Sequence, residues 1–230
     1  MKFKINIIAC LFLIASTSLV AQVKSVVPGK DFTSIRVSTG LFVEIVTNAD
    51  EHKIEIKGLE RDKVNIDIKN GELDLSLPLG QIFTEAEILV TVYAKEVEEL
   101  KARNGSEVEF ISVVDQKELR LIASEGSYIG GELKLESLSV KSVTGASISL
   151  VGTAKTTSVE VKTGGSYDGD DLISETTSVG VSYGGEATVH ATETCSASVT
   201  AGGSIEIHGN PSTLSQKTKL GGNIEVIKKM

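Results

Sequence analysis

Two histidines and a run of aspartates are the side chains of this chain whose types and spacing best suit chemistry. His190 and His208 stand 18 residues apart, and each lies five residues after a glycine, Gly185 and Gly203. Asp170 has the same offset from Gly165 and forms a dense acidic run with Asp168 and Asp171 in the segment GGSYDGDDL. Two imidazoles and one carboxylate suit a transition metal, because neutral imidazole nitrogen is a good ligand for zinc, copper, iron and nickel. Aspartates interleaved with glycine suit calcium, which takes its oxygens from carboxylates and backbone carbonyls. Calcium-binding repeats stack several copies of such a segment, and this one occurs once. A stacked repeat also lines up any polar residue at a fixed offset, so an exposed row without a ligand fits the same spacing. The sequence leaves the metal open and implies no cofactor.

The remaining chemistry is sparse. Glu107, Glu109, Asp168, Glu186, Glu206 and Glu225 recur at neighbouring offsets. Stacked like charges repel by about 1 kcal/mol per close pair in water. Such a row serves solubility and guards sheet edges against pairing. Counter-ions or a basic partner are its alternative use, and Arg120, Lys141 and Lys162 supply some opposite charge elsewhere in the repeat. A polysaccharide lyase or hydrolase needs clustered carboxylates with Arg or Lys in a groove. Here the only arginines are Arg36, Arg61, Arg103 and Arg120, there is no Trp, and the 4 Tyr form no stripe. A formal net charge of −8 with 4% aromatic residues argues against nucleic acid, which favours basic patches and stacking rings. Cys195 lies in a Thr/Ser-rich stretch without a basic neighbour. That reads as a small buried residue, not a nucleophile.

The elements that would position these groups come from a repeat over residues 101–230. Aligned on Ser106, Ser127, Ala146, Gly165, Gly185, Gly203 and Gly222, the steps are 21, 19, 19, 20, 18 and 19. Positions two and four after each anchor are mostly apolar, from Val108 and Phe110 to Ile224 and Val226. Positions one and three are mostly polar, so each repeat opens on a strand with one buried face. A second apolar ladder follows: Leu119 and Leu121, Leu138 and Val140, Val159 and Val161, Val179 and Val181, Ala197 and Val199. Two ladders at one pitch make each repeat a coil of a parallel β-helix, with like strands stacked about 4.8 Å apart. The coils vary in length and show no six-residue sub-period, and parallel crossovers favour one hand. The expected fold is therefore an all-β, right-handed, single-stranded parallel β-helix.

Residues 22–100 are less regular. Ile35–Val37, Leu41–Thr47, Lys53–Lys57, Val64–Ile68, Glu72–Leu77 and Ile88–Tyr93 all alternate, and Asn70–Gly71 carries a hairpin signal. Wider, hairpin-containing coils are expected here, with Gly40 and Gly71 as anchors of two of them, continuous with the regular solenoid in a single domain of residues 22–230. Residues 1–21 read as a signal peptide: Lys2 and Lys4, an apolar run from Ile5 to Ala15, and a small-residue cleavage site ending at Ala21. With no second apolar stretch to span a membrane, the mature chain is expected to be exported to the periplasm, the outer-membrane surface or the medium.

The run FTSIRVSTGLFVEIVTNADEHKIEIKGLE, then KNGELDLSL, then the Gly/Ser-headed repeats, resembles the head GIN domain family of auto-transporter adhesins. These are secreted or envelope proteins found largely in Bacteroidetes-type bacteria. The resemblance implies a right-handed β-helix and an adhesin-like role, and supplies no catalytic or binding residues. Beside it, the residues themselves suit a rigid repetitive surface for a glycan or protein ligand. A polysaccharide-processing enzyme and a self-assembling solenoid are the alternatives.

Overall fold

A computed structural model describes residues 23–78 and 88–227. The expected signal peptide lies outside them. The N-terminal part contains β1 (Lys24–Val26), β2 (Ser34–Val37), β3 (Phe42–Val46), β4 (Lys53–Lys57), β5 (Asn65–Lys69), β6 (Glu72–Ser76), β7 (Leu89–Tyr93) and β8 (Glu99–Ala102). Five long strands follow: β9 (Glu107–Ser124), β10 (Tyr128–Val143), β11 (Ser147–Lys162), β12 (Ser166–Ser182) and β13 (Glu186–Thr200). The chain closes with β14 (Ser204–His208), β15 (Thr213–Lys219) and β16 (Asn223–Val226). No α-helix occurs among the described residues; one 3-10 turn spans Arg61–Lys63.

The strands wind into a parallel β-solenoid of about seven turns. The start of β9 pairs with β3 and its end with β8, so one long strand supplies two walls of a coil. β10 to β13 repeat this, and β13 passes its first wall to β14 and its second to β15. Between the walls the register shifts at Gly131/Leu133, Ser149/Gly152 and Gly169/Ile173. These bulges bend the strand.

The first wall stacks as the repeat predicts: Val43, Val108, Ile129, Ile148, Tyr167, Ala187, Ile205 and Ile224 form one inward column. The second wall differs from the ladder read in the sequence. Leu138 faces Thr157, not Val159, and Val140 faces Val159. The inward columns are therefore Leu119, Leu138, Thr157, Thr177 and Cys195, continued in register by the exposed Leu214, and beside it Leu121, Val140, Val159, Val179 and Ala197. The two threonines look like surface residues in a hydropathy pattern, so an apolar reading skips them. A slip of two keeps every side chain on its face, which hides the error.

Each coil turns on a dipeptide whose two residues both have positive φ, such as Thr144 (53°) with Gly145 (71°). Glycine takes the second place without steric cost. At the first place Thr, Glu, Tyr, Ala and Leu all adopt this left-handed conformation, at roughly 1–3 kcal/mol each. The corners also bond to one another: Gly126 N–H donates to Thr144 O at 3.2 Å, and Gly145 N–H to Thr163 O at 3.2 Å. The anchor after each corner must be small because it faces the previous coil. A Cβ on Gly165 would stand 2.6 Å from Ser142 O. Where the anchor is Ser127, its hydroxyl accepts from Ser124 N–H at 3.0 Å and donates to Ala102 O at 2.8 Å.

At the N-terminal end β4 and β5 run antiparallel to their neighbours. Thr39–Gly40 is a coil corner, whereas Asn70–Gly71 closes the β5–β6 hairpin and anchors no coil. At the other end β15 pairs only with β13 and β16 only with β14 among the described residues.

Candidate functional site

The bulge in β12 decides what becomes of the acidic run. It inserts Asp170, Asp171 and Leu172 between Gly169, which faces Val189, and Ile173, which faces His190. His190 stacks on His208 as the spacing predicts, with ring centroids 6.5 Å apart. Asp170 is not in that row; Ile173 is. The bulge instead swings Asp170 beside both rings. Its carbonyl lies 2.8 Å from His190 Nδ1, and its Oδ1 lies 3.0 Å from His208 Nδ1. The latter pair is close enough for an ion pair yet lacks hydrogen-bond alignment.

The three aspartates do not converge on one point. Asp168 Oδ1 accepts from Asp170 N–H at 3.3 Å, Asp170 turns to the histidines, and Asp171 is exposed. Among the described residues no group of three or more His, Cys, Asp and Glu side chains is arranged to hold a metal ion. Cys195 is fully buried, and burial pushes its thiol up to about 11. A thiol held protonated and out of solvent is no nucleophile.

On the first wall, Glu109 flanks Gly130, and Tyr128 leans over that glycine from two residues away. Burial, with the neighbouring Glu107 charge, raises the Glu109 carboxyl above the usual range. Tyr167 covers Gly169 on the inner face, its hydroxyl oxygen 2.5 Å from where a Cβ would be. Each ring fills a gap left by a missing side chain.

The outer face of the second wall carries what the sequence reading passed over. Ser139, Ser158, Ser178, Ser196 and Ser215 stand in one register column. Ser137, Thr156, Thr176, Thr194 and Thr213 stand in another, two residues away along each strand. All of these are exposed or half-exposed. The signal was the recurring Ser/Thr-x-Ser triplet (SLS, TTS, TTS, TCS, TLS) at the same offset in five coils. It is legible only once the register is known. A groove of about 550 Å³ opens at the head of both columns, lined by Lys117, Arg120, Ser137 and Ser139 together with Glu96, Glu98 and Glu118.

Further toward the N-terminus the same wall is charged. Arg36 pairs with Glu72 and Asp74, Lys101 with Glu72 and Glu99, and Arg120 with Glu99. Burial raises the Glu72 carboxyl, but the Lys101 bond and the charges of Lys101 and Arg36 outweigh it and hold it below the usual range. A second groove of about 510 Å³ lies here, with Arg36, Glu72 and Asp74 in its lining. Its two cations, Arg36 and Lys69, are already engaged by carboxylates of the same lining.

Comparison with known proteins agrees with this architecture. No curated protein matches the sequence. A putative adhesin from Bacteroides fragilis shares the fold at a TM-score of 0.80 and 20% identity, over 90% of this chain and 97% of that one. A protein of Parabacteroides distasonis described as a putative lipid binding protein does so at 0.69 and 15%, over 90% and 96%. A putative adhesin from Parabacteroides merdae does so at 0.65 and 20%, over 90% and 96%. At these identities the likeness speaks for the fold alone. No helix of the described residues is long and apolar enough to cross a membrane. The family model described as "Putative auto-transporter adhesin, head GIN domain" matches residues 31–211, and the chain belongs to that family.

Proposed function

We propose that this protein is a non-enzymatic, adhesin-like binding module, exported to the periplasm or the outer-membrane surface, that holds an extended glycan or protein ligand along its second wall. The observation that carries this reading is the pair of hydroxyl columns. Stacked coils repeat the hydroxyls about every 4.8 Å. They stand on backbone fixed by the sheet, so little ordering entropy remains to be lost when a ligand binds. Hydroxyls both donate and accept, which suits a polymer with its own repeating hydroxyls or amides. The groove at Arg120 gives such a ligand a place to start.

Family membership supports a binding role. An array of glycans and extracellular-matrix proteins probed with the mature chain tests the reading. Binding to at least one extended ligand without its turnover is expected. A blank array, or release of new reducing or unsaturated ends from a bound polymer, would contradict it.

A further inference from the structure

We infer that Asp170 and His208 form a binding site for a divalent transition-metal ion, with His190 as the residue that positions Asp170. This site lies outside the hydroxyl columns and does not depend on the adhesin reading.

His208 Nδ1 and Asp170 Oδ1 lie 3.0 Å apart. Both atoms are shielded from solvent, and neither makes an aligned hydrogen bond. A nitrogen and an oxygen bonded to each other would be aligned at that distance. Two donors facing a common third point need not be. Zinc takes imidazole nitrogen and carboxylate oxygen at about 2.0–2.2 Å, so neighbouring ligands on one ion stand about 3.0–3.5 Å apart, from octahedral to tetrahedral geometry. The observed 3.0 Å lies at the short end of that range.

His190 supplies the supporting contact. Its Nδ1 lies 2.8 Å from Asp170 O, and a carbonyl can only accept, so Nδ1 carries the proton. That bond fixes the backbone of the bulge from which the Asp170 carboxylate projects. The stack is close-fitting: a Cβ on Gly209, just after His208, would stand 2.5 Å from His190 Cδ2. The bulge adds three residues relative to β13; Leu172 turns into the core while Asp170 turns to the histidines, and such bulges serve to re-aim a side chain.

The protein offers two side-chain ligands; the Asp170 side chain as a whole is 41% exposed, so solvent reaches the other positions of the ion from that side. Such a site strapping β12 to β14 across β13 would tie down the last coils, where β15 and β16 have no further neighbour among the described residues.

The test is titration of the untagged mature protein with zinc chloride, followed by calorimetry and by thermal melting. One zinc per chain and a raised melting midpoint are expected in the wild type. Asp170→Asn and His208→Ala should each abolish both effects. His190→Ala should weaken binding about tenfold, the usual scale for a supporting contact to a metal ligand. His190→Gln, which keeps a donor for the carbonyl, should recover most of that loss. Should His208→Ala fail to fold, the nearly isosteric Asp170→Asn decides alone. Absence of stoichiometric zinc binding in the wild type, or binding unchanged in Asp170→Asn, would overturn the proposal.

Discussion

The N-terminal and C-terminal coils share one cross-section and fill it differently. The first coils are packed with bulk: Phe32, Ile35, Ile45, Ile54, Ile56, Leu73, Leu75 and Leu100 are among the largest fully buried side chains. The later coils close over Ala154, Thr157, Ser174, Thr177, Cys195 and Ala197. Thr157 and Ser174 pair through their hydroxyls at 2.6 Å inside that core. The outer faces differ in the same sense, with ion pairs around Arg36, Glu72 and Lys101 at one end and columns of hydroxyls at the other. The irregular half mixes short parallel and antiparallel strands and is held by side chains. The regular half has long parallel ladders of backbone bonds, interrupted at the bends between walls, which lets its side chains be small. Small side chains in register are what produce a repeating surface.

That contrast can be broken by substitution. The largest effect belongs to the N-terminal core. Ile45→Ala should cost about 2–5 kcal/mol, the range for buried aliphatic truncations, measured by chemical denaturation. Val199→Ala, equally buried but in the last long strand, removes less apolar surface and should cost about 1.5 kcal/mol. Equal losses would mean that both halves rely on bulk.

Next in size is the corner. Gly165→Ala brings a Cβ against Ser142 O and should cost about 1–3 kcal/mol as an overpacking strain. A neutral result would show that the corners of the regular half can shift.

A pH effect separates the halves in kind. His52 is 6% exposed and stacks on Phe32 at 4.2 Å in the N-terminal part. Burial lowers its pKa, the Lys95 charge adds to this, and Asp31 opposes both. The folded state therefore favours neutral His52, while the unfolded chain takes up a proton below about pH 6.5. Stability from this site is complete above that pH and declines as the pH falls through it. Melting curves across that window should show the decline in the wild type and less of it in His52→Phe. The same slope in both would remove His52 from the account.

The smallest effect is Thr177→Val. Thr177 Oγ1 is buried without a hydrogen-bond partner, so replacing it with a methyl should stabilise by about 1 kcal/mol or less. Destabilisation would mean that the hydroxyl is satisfied in solution.

Much of this architecture was legible in the sequence. The first-wall columns, the stack of His190 on His208, the Asn70–Gly71 hairpin and the buried Cys195 follow from period, offset and turn chemistry. Three strands escaped notice: β1 is short, β8 reads Glu-Leu-Lys-Ala, a charged run too brief to show alternation, and β15 reads Thr-Leu-Ser-Gln-Lys-Thr-Lys, polar at all but one position. The second-wall register was misplaced because Thr157 and Thr177 are polar by type and buried by position. The bulge at Asp170 was invisible because inserted residues look like any others in a repeat of variable length. The hydroxyl columns depend on register and so could not be read before it.

The central claim is that the regular half carries the binding surface. It is tested most directly by comparing array binding of the wild type with two variants, Ser158→Lys/Ser178→Lys in the serine column and Asp67→Lys on the exposed edge of β5. The account predicts that the double variant loses ligand while melting as the wild type does, and that Asp67→Lys binds unchanged. Full binding by the double variant, or loss confined to Asp67→Lys, would contradict it.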